Sequence, residues 1–224
     1  MIEVRKIESK KDIKKFVQFQ MDLYKDNTYF VPPIIKDELA IFDPDKNQVF
    51  KNADCWLFLA YKENKIVGRV AALINHIEID EQKKSKMRFG WLDMIDDIEV
   101  TKALLNEVQK IGQEKQLEFM EGPVGFSNMD KAGLLIKGFE ELSTMITWYN
   151  HAYYKEHMEQ LGYVKATEWV EFKFKTPNPI PDKINRFADI IAQRYRLKSL
   201  RFKTTKEILP YVDQMFNLLN KTYS

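Results

Sequence analysis

Between residues 121 and 139 the chain reads EGPVGFSNMDKAGLLIKGF, and the short polar side chains of Ser127, Asn128 and Asp130 stand behind two glycines and a proline. Side chains of this kind either satisfy the free N–H groups at the start of a helix or contact a small polar ligand from a loop. Both readings are open. The three residues cap a short helix over the apolar run 132–136, or they bind a small molecule together with Asn75 and Asn150, which can face the same space. Gly122-Pro123 gives a sharp exit from a strand, and Gly125 frees the next turn. The glycine spacing matches neither the phosphate loop G-x-x-x-x-G-K-[ST] nor the dinucleotide fingerprint G-x-G-x-x-G. His76, His151 and His157 fall on different elements without ligand-like spacing, so no metal site is expected. Cys55 lies in an apolar, strand-like run and reads as a small buried hydrophobe rather than a nucleophile.

Composition narrows the partner class. Among 224 residues, 35 basic and 33 acidic side chains are interleaved and leave a net charge of only +2, which argues against nucleic acid as an obligatory partner. The start, MIEVRKIESKK, has no apolar targeting region, and no stretch approaches the length of apolar chain that spans a bilayer. A single cysteine fits a reducing compartment. A cytoplasmic protein with a small-molecule ligand and no membrane partner is the expectation.

The elements that must position those polar residues follow from periodicity. Residues 2–7 read as a strand, and Ser9 stands three before Asp12 at capping-box spacing, ahead of Ile13, Phe16, Val17, Met21 and Tyr24 on one helical face. Residues 26–50 are irregular with one short helix around 34–41. Residues 56–61 and 66–74 form a hairpin through a four-residue connection containing Asn64, and 88–95 adds a third antiparallel strand. Asp96 precedes Glu99 at cap spacing, and Val100, Ala103, Leu104, Val108 and Ile111 mark a long helix. A short strand over 117–121 leads into the glycine-rich stretch. A helix over 152–161 is stopped by Gly162, and 164–174 alternates as a strand with one wet face. Pro177, Pro179 and Pro181 then make a stiff linker ahead of an amphipathic helix carrying Ile184, Phe187, Ile191 and Tyr195.

The tail repeats the head. At a shift of 195 residues, eight of nine compared pairs keep their chemical class, among them Ser9 with Thr204, Asp12 with Glu207 and Phe16 with Tyr211. Residues 197–223 therefore read either as the opening βα unit of a second copy of the same domain or as an unrelated amphipathic unit. Such a unit cannot bury its apolar face alone, so it packs on the first domain, docks on a partner, a second copy of the chain included, or the sequence is a piece of something longer.

The order strand, helix, hairpin, strand, long helix, strand, short helix ending in Gly-aromatic resembles the GCN5-related N-acetyltransferase (GNAT) family. The resemblance runs over residues 2–175 and is carried by LFLAYKENKIVGRVAALIN and YYKEHMEQLGYVK. More narrowly, VPP, VGRVAALIN and GPVGFSNMDKAGLLIKGF resemble a group of acetyltransferase-like proteins in which this half is followed by a second such half. The resemblance implies an α/β fold with a mixed, largely antiparallel central sheet flanked by helices, and acyl-CoA-dependent N-acetyl transfer. It implies an acetyltransferase-like domain over 1–175, a proline-rich linker over 176–182 and the start of a second domain over 183–224.

Two family features are altered. The turn that binds the acetyl-CoA pyrophosphate is represented by Met94-Ile95-Asp96-Asp97-Ile98-Glu99, without glycine or arginine and with three carboxylates that compete with phosphate for the helix N-terminus. The tyrosine expected to protonate the leaving thiolate is replaced by Met158. Tyr154, one turn earlier, takes that catalytic role only if the helix is displaced, and otherwise belongs to the core. The implied function is that of a degenerate or substrate-side half of an N-acetyltransferase-like protein. The alternative is a non-catalytic binding or scaffold module.

Overall fold

The structure, a computed structural model, describes residues 1–222. The chain divides into two compact units, residues 1–168 and the remainder from Trp169 on.

The first unit is built on a five-stranded sheet in sequence order: β1 (Ile2–Ile7), β2 (Ala53–Lys62), β3 (Lys65–Asn75), β4 (Lys86–Met94) and β5 (Phe119–Glu121). The first four strands run antiparallel and β5 lies parallel to β4. This is the mixed, largely antiparallel sheet flanked by helices that was expected. The β2–β3 hairpin closes through Glu63 and Asn64 at φ 51° and 62°, the left-handed pair that matches the strand twist.

Helices cover both faces. On one side, α4 (Ile98–Glu114) sets Val100, Leu104 and Val108 against Val70, Ala72 and Phe89, joined by Tyr154 and Met158 of α5 (Tyr153–Gln160). On the other, α1 (Lys10–Leu23) buries Phe16 and Val17 against Leu57, Leu59, Leu73 and Trp91. The expected cap is in place, with Ser9 Oγ accepting from Asp12 N at 3.1 Å. Every residue of β4 is buried, as a central strand covered on both faces requires.

Several local expectations are corrected. The cap of α4 is Asp97, not Asp96: its side chain accepts from Glu99 N at 3.1 Å. An unforeseen helix, α3 (His76–Asp80), follows β3 because the Asn75 side chain caps it. The alternating run 164–174 forms no strand: Val164, Val170, Phe172 and Phe174 are exposed, and without a neighbouring backbone an alternating pattern has nothing to pair with.

The second unit, described alone, comprises α6 (Asp182–Tyr195), α7 (Thr205–Ile208) and α8 (Val212–Thr222). The repeat of the Ser9 cap is not formed: Thr204 makes no side-chain cap bond, its Oγ1 instead donates to Glu207 Oε1 at 3.1 Å, and Glu207 Oε2 accepts from Lys203 N at 3.0 Å. The strand half of that βα unit is not formed over 197–203, and Pro210 falls in a 3₁₀ turn between α7 and α8. Tyr223, the last residue of the repeat, lies outside the described residues. Phe187, Ile191, Phe216 and Leu218 are about half exposed, so the apolar stripes of α6 and α8 face no core of their own.

Candidate functional site

The end of β4 is the most strained place in the sheet. Opposite β3, Arg69 pairs with Asp93 and Ala71 with Gly90, so Trp91 and Leu92 together face the single residue Val70. Trp91 absorbs this bulge at φ 46°, a left-handed conformation that a bulky side chain adopts only when its surroundings enforce it. They do: the indole Nε1 donates to buried Glu38 of α2 (Ile35–Ile41) at 2.9 Å, and Phe42, Phe126 and Trp148 pack edge-on against the ring. On its other side, the ladder with β5 ends at Arg88 and Glu121, and one further backbone bond follows, Val124 N to Phe89 O at 2.8 Å.

A buried polar cluster lies at the end of β4, around Asp93. Tyr24, at the end of α1, and Tyr154, on α5, come from opposite faces of the sheet, yet their hydroxyls lie 2.9 Å apart. Both donate to Asp93 Oδ1 at 3.2 Å, and Tyr154 Oη accepts from Met94 N at 3.1 Å. Arg69 holds the other carboxylate oxygen, donating from Nε to Asp93 Oδ2 at 2.8 Å and from Nη1 to Phe16 O at 2.8 Å. Its Nη2 sits 2.7 Å from the same carboxylate oxygen with no N–H aligned on an acceptor. Burial holds both phenols well above the usual tyrosine range, with the Asp93 charge adding to the effect, so both remain protonated donors.

His151 completes the cluster. Its ring lies 4.8 Å from that of Tyr24 and stacks on Tyr153 at 5.3 Å. Half-burial lowers its pKa, outweighing Asp93 and Asp96, which pull the other way; the imidazole is therefore neutral at neutral pH and able to accept a proton. The Tyr153 hydroxyl donates to Met94 O at 2.6 Å.

The structure does not bring the six sequence-selected residues together. Tyr154 lies in the buried cluster. Asn75 donates to Phe126 O at 3.0 Å while capping α3. Ser127, Asn128 and Asp130 form an exposed turn in which Asp130 Oδ2 accepts from Ser127 N at 2.8 Å, and no helix follows. Asn128 Oδ1 accepts from Arg88 at 2.8 Å. Asn150 is buried, donating to Leu135 O at 3.0 Å and accepting from Leu135 N at 2.6 Å. The glycine-rich stretch is thus tied to β4 and folded against itself. Leu134, Trp148 and Tyr149 occupy the cleft beside Trp91 and Asp93, leaving only a narrow crevice.

Arg88 is the principal tie. It donates twice to Glu78 of α3, at 2.6 and 2.7 Å, and once to Gly125 O at 3.1 Å, all buried. Sequence reasoning missed this cluster, Asp93, Tyr24 and the non-metal role open to His151. The one local signal is the aromatic density of WYNHAYY around His151.

At the N-terminus of α4, Asp97 Oδ1 accepts from Glu99 N at 3.1 Å and the same carboxylate pairs with Lys62 at 2.8 Å. Among the described residues no group of three or more His, Cys, Asp and Glu side chains could hold a metal ion, and no helix is long and apolar enough to cross a membrane. Burial pushes the Cys55 thiol up, away from reactivity.

No family model matches the chain. Over 221 residues, 96% of the chain, it is 25% identical to Protein YghO of Escherichia coli, covering 55% of that protein. Over 186 residues, 83% of the chain, it is 23% identical to the bacterial ceramide synthase of Caulobacter vibrioides, covering 48% of it. The chain therefore spans about half the length of the curated relatives it matches. Among solved structures, a predicted acetyltransferase with acetyl-CoA from Clostridium acetobutylicum is similar at a TM-score of 0.48 and 14% identity, over 77% of this chain and 96% of that one.

Proposed function

We propose that the first unit is the acceptor side of an N-acyltransferase-like protein: it holds a primary amine beside the end of β4, and His151 takes the proton that the amine releases on acylation. The observation that carries this reading is the half-buried imidazole, its pKa lowered by burial, stacked on Tyr153, tilted against Tyr24 and next to the Tyr24–Tyr154–Asp93 cluster. A neutral base is what proton removal from an ammonium needs. Tyr24 and Tyr154, kept protonated, fix the cluster; Asp93, neutralised by Arg69, orients their hydroxyls. Two curated relatives share low identity over nearly the whole chain, and one is named a ceramide synthase; ceramides are amides, the bond class proposed here.

Because the Asp97 carboxylate at the start of α4 competes with a phosphate there, we read the acyl donor as bound elsewhere. We assign it to a second acetyltransferase-like domain that opens in the second unit, a reading supported by the sequence match of Ser9, Asp12 and Phe16 with Thr204, Glu207 and Tyr211, the unburied stripes of α6 and α8, and the doubled length of the relatives. Docking through that unit is the partner role proposed for it.

The test is a pair of titrations on the chain. A short primary amine such as butylamine should shift the ring resonances of His151 and Tyr24 saturably, while acetyl-CoA at millimolar concentration gives no heat. Saturable acetyl-CoA binding would place the donor here and overturn the assignment. Silence of His151 toward amines leaves the non-catalytic module reading.

A further inference from the structure

A groove of about 1080 Å³, counted with its open mouth, lies between the end of α1 and the start of α2. That is the size class of small-ligand sites, roughly 300–1,000 Å³. Met21, Phe30, Pro32, Pro33, Ile34 and Ile35 give it apolar walls. Ile34 and Ile35 are 55% and 45% exposed, an uncommon placement for two adjacent large aliphatic residues.

The polar part of the lining has one sign. Two Lys-Asp pairs, Lys25-Asp26 and Lys36-Asp37, flank the groove in sequence, and in both the lysine lines it while the aspartate does not. The other polar side chains of the lining keep no acceptor for a ligand. Asn27 Oδ1 accepts from Tyr29 N at 2.9 Å and from Phe30 N at 3.2 Å, and its Nδ2 donates to Tyr149 Oη at 3.0 Å. The Tyr24 hydroxyl is engaged with Asp93 and Tyr154 in the buried cluster. Lys25 and Lys36 are exposed, and among the described residues neither is held by a carboxylate. An ammonium offers donors only, on a stem long enough to bring the charge to a ligand's head.

A cationic ligand would meet two like charges here, and a neutral one would leave both ammonium groups unanswered. We propose that this groove binds a single-chain amphiphile with an anionic head: the hydrocarbon lies along Phe30, Pro32 and Ile34, and the head is held by Lys25 and Lys36. The site is a second one, and it does not depend on the amine-acceptor reading.

Calorimetric titration of the whole chain with decanoate, butyrate, decanol and decylamine, each below its aggregation threshold, reads the site. Burying one methylene is worth about four-fold in affinity, so half that logarithmic gain over six methylenes puts decanoate about 60-fold tighter than butyrate. Exposed charge pairs are weak, and the two lysines together should hold decanoate about five-fold tighter than decanol. Lys25→Gln combined with Lys36→Gln should erase that five-fold and leave decanol unchanged, while Ile34→Asp should weaken both ligands. All three positions are exposed, so folding is spared. Equal affinity for butyrate and decanoate overturns the apolar seat. Decanol or decylamine binding as tightly as decanoate overturns the anionic head. A decanoate affinity that survives the lysine and Ile34 variants overturns the location, and the absence of saturable decanoate binding overturns the site. The response of His151 to butylamine, by which the acceptor reading stands or falls, is independent of all four results.

Discussion

Replacing Arg88 by Met tests how the glycine-rich stretch is held. The guanidinium makes two bonds to Glu78, one to Gly125 O and one to Asn128 Oδ1, and Arg88 itself is 2% exposed. Removing one partner of a buried ion pair costs about 3–5 kcal/mol, because the remaining charge is left desolvated. Here Lys86 still lies 3.0 Å from Glu78, so that carboxylate is not wholly orphaned and the low end applies, about 3 kcal/mol. For a unit of this size that corresponds to a fall in Tm of about 6–12 °C. Thermal unfolding followed by circular dichroism reads it. Glu78→Gln added to the Arg88 variant removes the uncompensated charge and should recover at least about 1 kcal/mol, while amide exchange in 122–130 stays fast because the Gly125 carbonyl remains without its donor. A loss under about 1 kcal/mol, or a double variant as unstable as the sum of the singles, would refute the claim that this pair anchors the stretch.

Tyr154→Phe leaves Met94 N–H buried without an acceptor and should lower stability by about 1–3 kcal/mol in a denaturant titration. Asp97→Ala removes the α4 cap and should cost about 1 kcal/mol, with Lys62→Met alone close to neutral because that lysine is exposed. A Cβ at Gly90 would run into the Val124 carbonyl and lie 3.1 Å from the Trp148 ring, so Gly90→Ala should destabilise by overpacking, about 1–3 kcal/mol. Stability should fall with pH in two windows. Burial pushes Glu78 up, but hydrogen bonds from Arg88 and Lys86 outweigh it and hold it below its ordinary 4.5, so its contribution is full above that value and lost as pH falls through the lower folded one. His151, lowered by burial from 6.5, favours the folded state above that pH and loses its contribution as pH falls through its folded value; His151→Gln should flatten that upper window only.

What the sequence determined by itself was whatever depends on neighbours along the chain. The hairpin of the runs 56–61 and 66–74, the Ser9 cap and the Gly162 stop at φ 84° are local choices of backbone and hydrogen bond, legible at a spacing of two to four residues. A carboxylate cap before α4 was legible for the same reason, although it moved by one residue from Asp96 to Asp97. The run 164–174 shows the limit: its pattern is a strand's, but a strand exists only where another backbone accepts its hydrogen bonds. The site belongs to tertiary structure. Tyr24 and Tyr154 are 130 positions apart and meet because α1 and α5, from opposite faces of the sheet, both bring a phenol to Asp93 at the end of β4. Likewise Asn128 looked like a ligand-binding or capping residue until Arg88, 40 positions away, supplied its partner. No periodicity records such meetings, since they are fixed by which surfaces the whole chain must bury together.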